Sequence, residues 1–188
     1  MIHAPNMMVT EALRNAAQPG MFGALSGAIA AATAADADVC VFVNKATRAV
    51  AIPSLIVSAM SGTNFTNAAA VGVKLFKATG MALDTGGTSV LAQLRKTTGY
   101  DAIPATEMEG MVSTTGAMTP GARTLASQPF HVATFGGAQS FAGESLWEPQ
   151  DGLPLSLEAN EGIVAQLIAA TPAGGTVFLH VGFPLFRF

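Results

Sequence analysis

Ionised side chains are scarce in this sequence: Asp, Glu, Lys and Arg make up 11% of its 188 residues, against about a quarter in an average soluble domain. Nine basic and twelve acidic residues cannot clothe a free surface in the usual way, so much of the exterior is expected to be covered by other subunits. The basic residues stand singly except for Arg95-Lys96, which excludes the clustered positive patch that neutralises phosphates; no nucleic-acid partner is expected. The single cysteine, Cys40, excludes an intrachain disulfide and a thiolate zinc site. Between Val39 and Val41 it reads as a small buried hydrophobe.

Other absences narrow the function further. The three histidines, His3, His131 and His180, are far apart and lack partners at metal-ligand spacing, so no metal site is expected; His131 and His180 read as strand residues with a satisfied hydrogen bond. Glu107 and Glu109 flank Met108 and share a face if extended, but a solvated loop is expected there rather than a cation site. Gly86-Gly87 and Gly136-Gly137 lack the G-x-x-x-x-G-K pattern of a phosphate loop and mark turns. No cofactor is expected. One Trp and one Tyr make a poor sugar-stacking platform. Met21 to Ala35, MFGALSGAIAAATAA, resembles a signal-peptide apolar region, yet its basic flank is one Arg14 after the acidic Glu11. It is shorter than the roughly 20 apolar residues a membrane span needs, so no membrane partner is expected.

What is present is β pattern. Residues 1–38 are Ala-, Met- and Gly-rich and read as an N-terminal arm, extended or in short helices, one opened by Thr10 and another near Ile29. Gly23 and Gly27 are spaced for close backbone approach. From Val39 the runs VCVFV, AVAIPSLIVSAM and AAVGVKLFKA are β-branched and apolar. Pro53 marks an edge strand or a bulge. Val71, Val73 and Leu75 fall on one face, opposite Gly72, Lys74 and Phe76. Residues 80–121 carry few strand signals and are expected to project or to lie over a neighbour. Further strands are expected over 123–134 and 144–147. The turn Thr171-Pro172-Ala173-Gly174-Gly175 is expected to join 161–170 and 176–188 as a hairpin whose last strand is covered on both faces. The fold class is mainly β: an antiparallel β-sandwich or jelly-roll-like domain over 39–188, carrying the arm and the insertion.

The stretch Leu153-Pro154-Leu155-Ser156-Leu157-Glu158-Ala159-Asn160-Glu161-Gly162-Ile163-Val164, then Thr171 to Thr176 and a terminal apolar strand, resembles tailed-bacteriophage virion structural proteins. Val71 to Gly80, followed by a Gly/Thr-rich insertion, is similar to their central segment. The resemblance spans about residues 45 to 188. It implies a virion component that decorates or cements a capsid, assembled in the host cytoplasm. The implied partners are the major capsid protein, other virion proteins and sister copies, with a trimeric homo-oligomer favoured.

Asp84-Thr85-Gly86 after Ala82-Leu83 matches the active-site tripeptide of retroviral-type aspartic proteases. That chemistry needs two carboxylates sharing a proton and a supporting apolar-apolar-Gly segment, for which only His180-Val181-Gly182 is available. Asp-Thr-Gly-Gly is equally a turn, and the chain is read as no enzyme. A glycan-binding tail or fibre module is the other alternative, which exposed aromatics around one concave site would support. The interface candidates are Met21, Phe22, Leu25 and Ile29 in the arm, Met108, Met111 and Met118 in the insertion, and Trp147, Phe186 and Phe188.

Overall fold

The computed structural model describes residues 20–90 and 108–187. Their strands are β1 (Gly20–Leu25), β2 (Asp38–Asn44), β3 (Val50–Ile52), β4 (Leu55–Thr63), β5 (Ala69–Thr79), β6 (Thr88–Ser89), β7 (Met108–Val112), β8 (Thr124–Leu125), β9 (His131–Ala138), β10 (Ala142–Trp147), β11 (Leu155–Leu157), β12 (Gly162–Leu167) and β13 (Thr176–Arg187). All pairings are antiparallel.

Register reduces these pieces to a simple plan. Gly182 of β13 faces Ile56 of β4, and Phe186 faces Ala51 of β3. Four steps along β13 thus match five along β3 and β4, which form one strand with an extra residue at Pro53-Ser54. That is the bulge the proline signalled, since proline cannot donate to the ladder. On the far edge of this strand β10 pairs with β4 and β11 with β3; β1 takes the other edge of β13. The first sheet therefore runs β1, β13, β3/β4, β10/β11. The second runs β6, β7, β2, β12, β5, with β8 and β9 both on the outer edge of β5.

Outside the run β5 to β9, which stays in the second sheet, the chain passes back and forth between the sheets, the connectivity of a two-sheet jelly roll. This corrects the hairpin expected at the C-terminus. β12 pairs with β2 and β5, whereas β13 lies in the other sheet, so residues 168–175 cross the sandwich. Thr171 pins that crossing: its Oγ1 accepts from the Thr33 backbone N–H at 2.8 Å and donates to the Ala30 carbonyl at 2.6 Å.

The core follows the two-residue period of a strand. Val71, Val73 and Leu75 of β5 meet Ile163, Ala165 and Leu167 of β12 and Val177, Leu179, Val181 and Phe183 of β13 between the sheets. Phe42 and Phe183 meet edge to face with ring centroids 5.0 Å apart, the favoured aromatic geometry. Cys40 is buried here, as expected, and desolvation raises its thiol pKa.

Two further expectations change. Residues 20–38 contain no helix. Gly20–Leu25 is an integral strand, and Ile29 is fully buried with its backbone bridged to Val177. Gly23 and Gly27 serve close approach of another kind, because a Cβ there would meet the His180 ring at 2.5 Å and the Thr114 carbonyl oxygen at 2.0 Å. The helix expected from Thr10 lies outside the described residues. The described flanks of the insertion do not project. β7 extends the second sheet beyond β2, burying Met108 and Val112, while Met81 and Met118 lie on the sheet's outer face against Val41, Val43, Ala78 and Val164.

Candidate functional site

Asp38 opens β2 immediately before a purely apolar run. The bulge between Ala165 and Gln166 in the β2–β12 pairing puts its register opposite Gln166, whose Nε2 donates to Asp38 Oδ1 at 2.9 Å. Above this point the two arms of the insertion run side by side. The Ala82 N–H donates to the Ala122 carbonyl at 2.8 Å, and Thr85 and Thr119 exchange both backbone bonds at 3.0 and 2.9 Å. The approach is closest at Gly121, where a Cβ would lie 2.4 Å from the Ala82 oxygen. Asp84 and Arg123 turn inward from the two arms. Arg123 Nη1 donates to Asp84 Oδ1 at 2.5 Å and Nη2 to Asp38 Oδ2. The Gly121 N–H adds a 2.9 Å bond to Asp84 Oδ1. Both carboxylate side chains are fully buried and the arginine side chain is 6% exposed.

The cluster is short of hydrogen: two carboxylates share one guanidinium, and Asp84 Oδ2 is buried without a partner. An orphaned buried oxygen costs about 1–3 kcal/mol, and more when charged. Burial, together with the neighbouring Asp38 carboxylate, pushes the Asp84 pKa up to about 6 against the pull of Gly121 and Arg123. This placement also decides the protease question. An aspartate with no exposure, already bound to arginine, cannot reach a peptide; it anchors an extended segment in which Thr85 bridges Thr119, and the chain bends only at Gly86-Gly87.

The outer face of the first sheet is different in kind. Met60, Leu146 and Leu25 are 51, 53 and 49% exposed. Strand alternation sets Ile56, half-buried, and Glu144, exposed, on the same face. Phe178 lies over Gly62 and His180 over Gly23. His180, Ser58 and Glu144 form one cross-strand row. Desolvation lowers the His180 pKa and Glu144 partly offsets it. The two sides of β13 thus differ: its inner residues are buried, whereas on the outer side Phe178, His180 and Pro184 are half-buried and Gly182 is buried, so the expected cover on that face is partial.

A groove of about 940 Å³ opens where β9 and the β10–β11 strand part at the sandwich edge. Phe130 and Trp147 meet in it at 5.0 Å between centroids, at 68°. His131 Nε2 and Ser145 Oγ bridge the sheets at 3.0 Å, and burial lowers the His131 pKa. Glu148, Gln150 and Asp151 stand on the rim with the exposed Leu153. Lys77, on the groove wall, is held by Glu161 at 2.6 Å and by the Ser156 carbonyl at 2.9 Å.

The structure scatters the interface candidates. Ile29, Met108 and Met118 are buried inside the domain, which removes them as contact residues; each completes an apolar cluster of its own chain. Met111 is half-buried against the outer cluster. Leu25 is on the open sheet face and Trp147 in the groove. Met21, Phe22 and Phe186 belong to β1 and β13, and Phe188 lies outside the described residues. Glu109 lies in β7, 4.0 Å from Lys45, rather than in a loop; Glu107 is outside the described residues. Among the described residues no three His, Cys, Asp or Glu side chains converge on a metal position, and no helix is long and apolar enough to cross a membrane. Sequence reasoning missed Asp38, Arg123 and Gln166. The available signal was an aspartate abutting the most apolar run of a charge-poor chain.

No family model and no curated protein matches the chain. Among solved structures it is similar to a chain of the human polyomavirus 6 VP1 pentamer, at 10% identity and a TM-score of 0.33, covering 91% of this chain and 96% of that one. A human polyomavirus 7 VP1 pentamer chain matches at 10% identity and a TM-score of 0.31, covering 90% and 95%. A turnip yellow mosaic virus chain matches at 13% identity and 0.27, covering 90% and 94%. Likenesses at this level add nothing on function to the two-sheet antiparallel fold that strand register already establishes.

Proposed function

We propose that this chain is a structural virion subunit that decorates or cements a phage capsid, using the open face of its first sheet against the major capsid protein and sister copies. One observation carries the reading: Ile56, Met60, Leu146 and Leu25 share an uncovered sheet face with a single carboxylate, Glu144. On a chain with 11% charged residues, two apolar rows, Ile56 with Leu146 and Met60 with Phe178, flank a row of Leu25, His180, Ser58 and Glu144, the mixed make-up of a contact surface with a few polar groups in it. The two-sheet fold supports the same reading, because its inner faces pack on each other and leave the outer face of the first sheet free to meet a partner. Sister copies about a three-fold axis are the assembly we favour.

The test is self-association and particle binding. Wild-type protein is expected to run as an oligomer in light scattering, or to bind shells lacking it, and Met60→Lys with Leu146→Lys to abolish both while leaving the melting temperature within a few degrees. A wild-type monomer that ignores such shells overturns the reading.

A second reading rests on the groove. Phe130 and Trp147 supply an aromatic wall, and Glu148, Gln150 and Asp151 supply hydrogen-bonding groups on its rim, a combination suited to a neutral sugar in a host-recognition module. Glycan-array binding lost in Trp147→Ala and retained in the Met60→Lys, Leu146→Lys protein would favour it.

A further inference from the structure

We propose that Asp38 and Asp84 hold one proton between them, and that this proton locks the insertion onto the second sheet, so that mild acid tightens the clasp and alkali loosens it. The geometry sets the count. Asp38 Oδ1 is taken by Gln166 and Oδ2 by Arg123; Asp84 Oδ1 is taken by Arg123 and Gly121. Only Asp84 Oδ2 is left, and it is fully buried. Arg123 holds both carboxylates on one guanidinium, Asp84 through Nη1 and Asp38 through Nη2, which sets the Asp38 carboxyl beside that of Asp84. With no proton the cluster carries two negative charges against one positive and an unmatched oxygen. With one proton on Asp84 Oδ2, donated to Asp38, the charges balance and the orphan is filled, as in carboxyl pairs elsewhere that share a proton.

The groups facing Asp84 are Asp38 and Cys40 from β2 and Arg123 and the Gly121 N–H from the returning arm; Gln166 of β12 acts through Asp38. Arg123 stays charged throughout, and burial keeps the Cys40 thiol protonated. The group that takes up the proton is therefore Asp84, with the Asp38 carboxylate as its acceptor.

The sign follows from linkage. A carboxyl pKa raised from 3.8 to about 6 in the closed state means that the closed clasp binds the proton more tightly than the open one. Its contribution is full below pH 3.8 and is lost as pH rises through 6. Between about pH 8 and pH 5 the closing equilibrium gains roughly tenfold.

Amide hydrogen exchange reads this directly at Ala82, Thr85 and Thr119, whose N–H groups cross between the two arms. After correction for intrinsic rates, their protection is expected to rise about tenfold from pH 8 to pH 5, while the Val177 amide, bonded to Ile29 in the core, does not follow them. Asp84→Asn, whose amide donates where the shared proton would, is expected to keep the three amides protected and insensitive to pH. Equal wild-type protection at both values, or an Asn variant that tracks the wild type, overturns the proposal. Should that variant fail to fold, the carboxyl carbon shift of Asp84 in the wild type decides. A midpoint near 6 supports the shared proton, and one below about 4 refutes it.

Discussion

Replacing Arg123 with Met removes the cation that both Asp38 and Asp84 bind and leaves two carboxylates with no exposure facing each other. Methionine fills much of the arginine stem's volume, so the change is mainly one of charge and hydrogen bonding. Breaking a buried pair by deleting one partner costs about 3–5 kcal/mol, because the remaining charge stays desolvated. In a chain of this length each kcal/mol moves the melting temperature by about 2–4 °C, so a fall of roughly 6–20 °C is expected at neutral pH. Urea denaturation should show a lower midpoint with an unchanged slope, since the surface exposed on unfolding is the same. Two further readouts separate this cause from general damage. Without the cation the Asp84 carboxyl, already raised by burial, loses the opposing pull of Arg123, so the deficit should be largest above neutrality and should shrink on acidification as Asp84 takes up a proton. Adding Asp84→Asn to Arg123→Met should restore part of the loss by removing one buried charge. A fall below about 2 °C, or a deficit that does not change with pH, would refute the reasoning that the insertion is held by charge balance.

Phe183→Ala deletes the partner of the Phe42 ring from the centre of the sandwich and should cost about 3–5 kcal/mol in chemical denaturation. Gly121→Ala forces a Cβ to within 2.4 Å of the Ala82 oxygen and should cost about 1–3 kcal/mol, with protease cleavage appearing first in the insertion. Asn44 is buried, and its amide donates to the Arg48 and Leu157 carbonyls at 2.9 Å while its oxygen accepts from Ala46 at 3.0 Å. Asn44→Ala should therefore destabilise by about 2–4 kcal/mol, seen as a lower melting temperature. Burial lowers the pKa of His131, so its neutral form stabilises the fold above the ordinary value of 6.5 and that contribution is lost on acidification. His131→Gln should flatten the fall in melting temperature below about pH 6, a trend opposite in sign to that of Asp84.

Strand content, the burial of Cys40, the alternation of β5 and the break at Pro53 were all legible along the chain, because each is a local consequence of side-chain shape and two-residue periodicity. The low charge is what the proposed contact face rests on, together with the exposure of Met60, Leu146 and Leu25. Local pattern could not say which strands pair. The turn at residues 171–175 has hairpin composition, yet it crosses between sheets, because β12 finds its partners in β2 and β5, both far away in sequence. The clasp was hidden for the same reason. Asp38, Asp84, Arg123 and Gln166 are isolated polar residues in one dimension, and only the jelly-roll crossing and the β2–β12 bulge bring them together. Composition alone set how much apolar surface the chain must hide or share. Which side of which strand stays open, and where two acids must share one base, depended on long-range pairing that no sequence window contains.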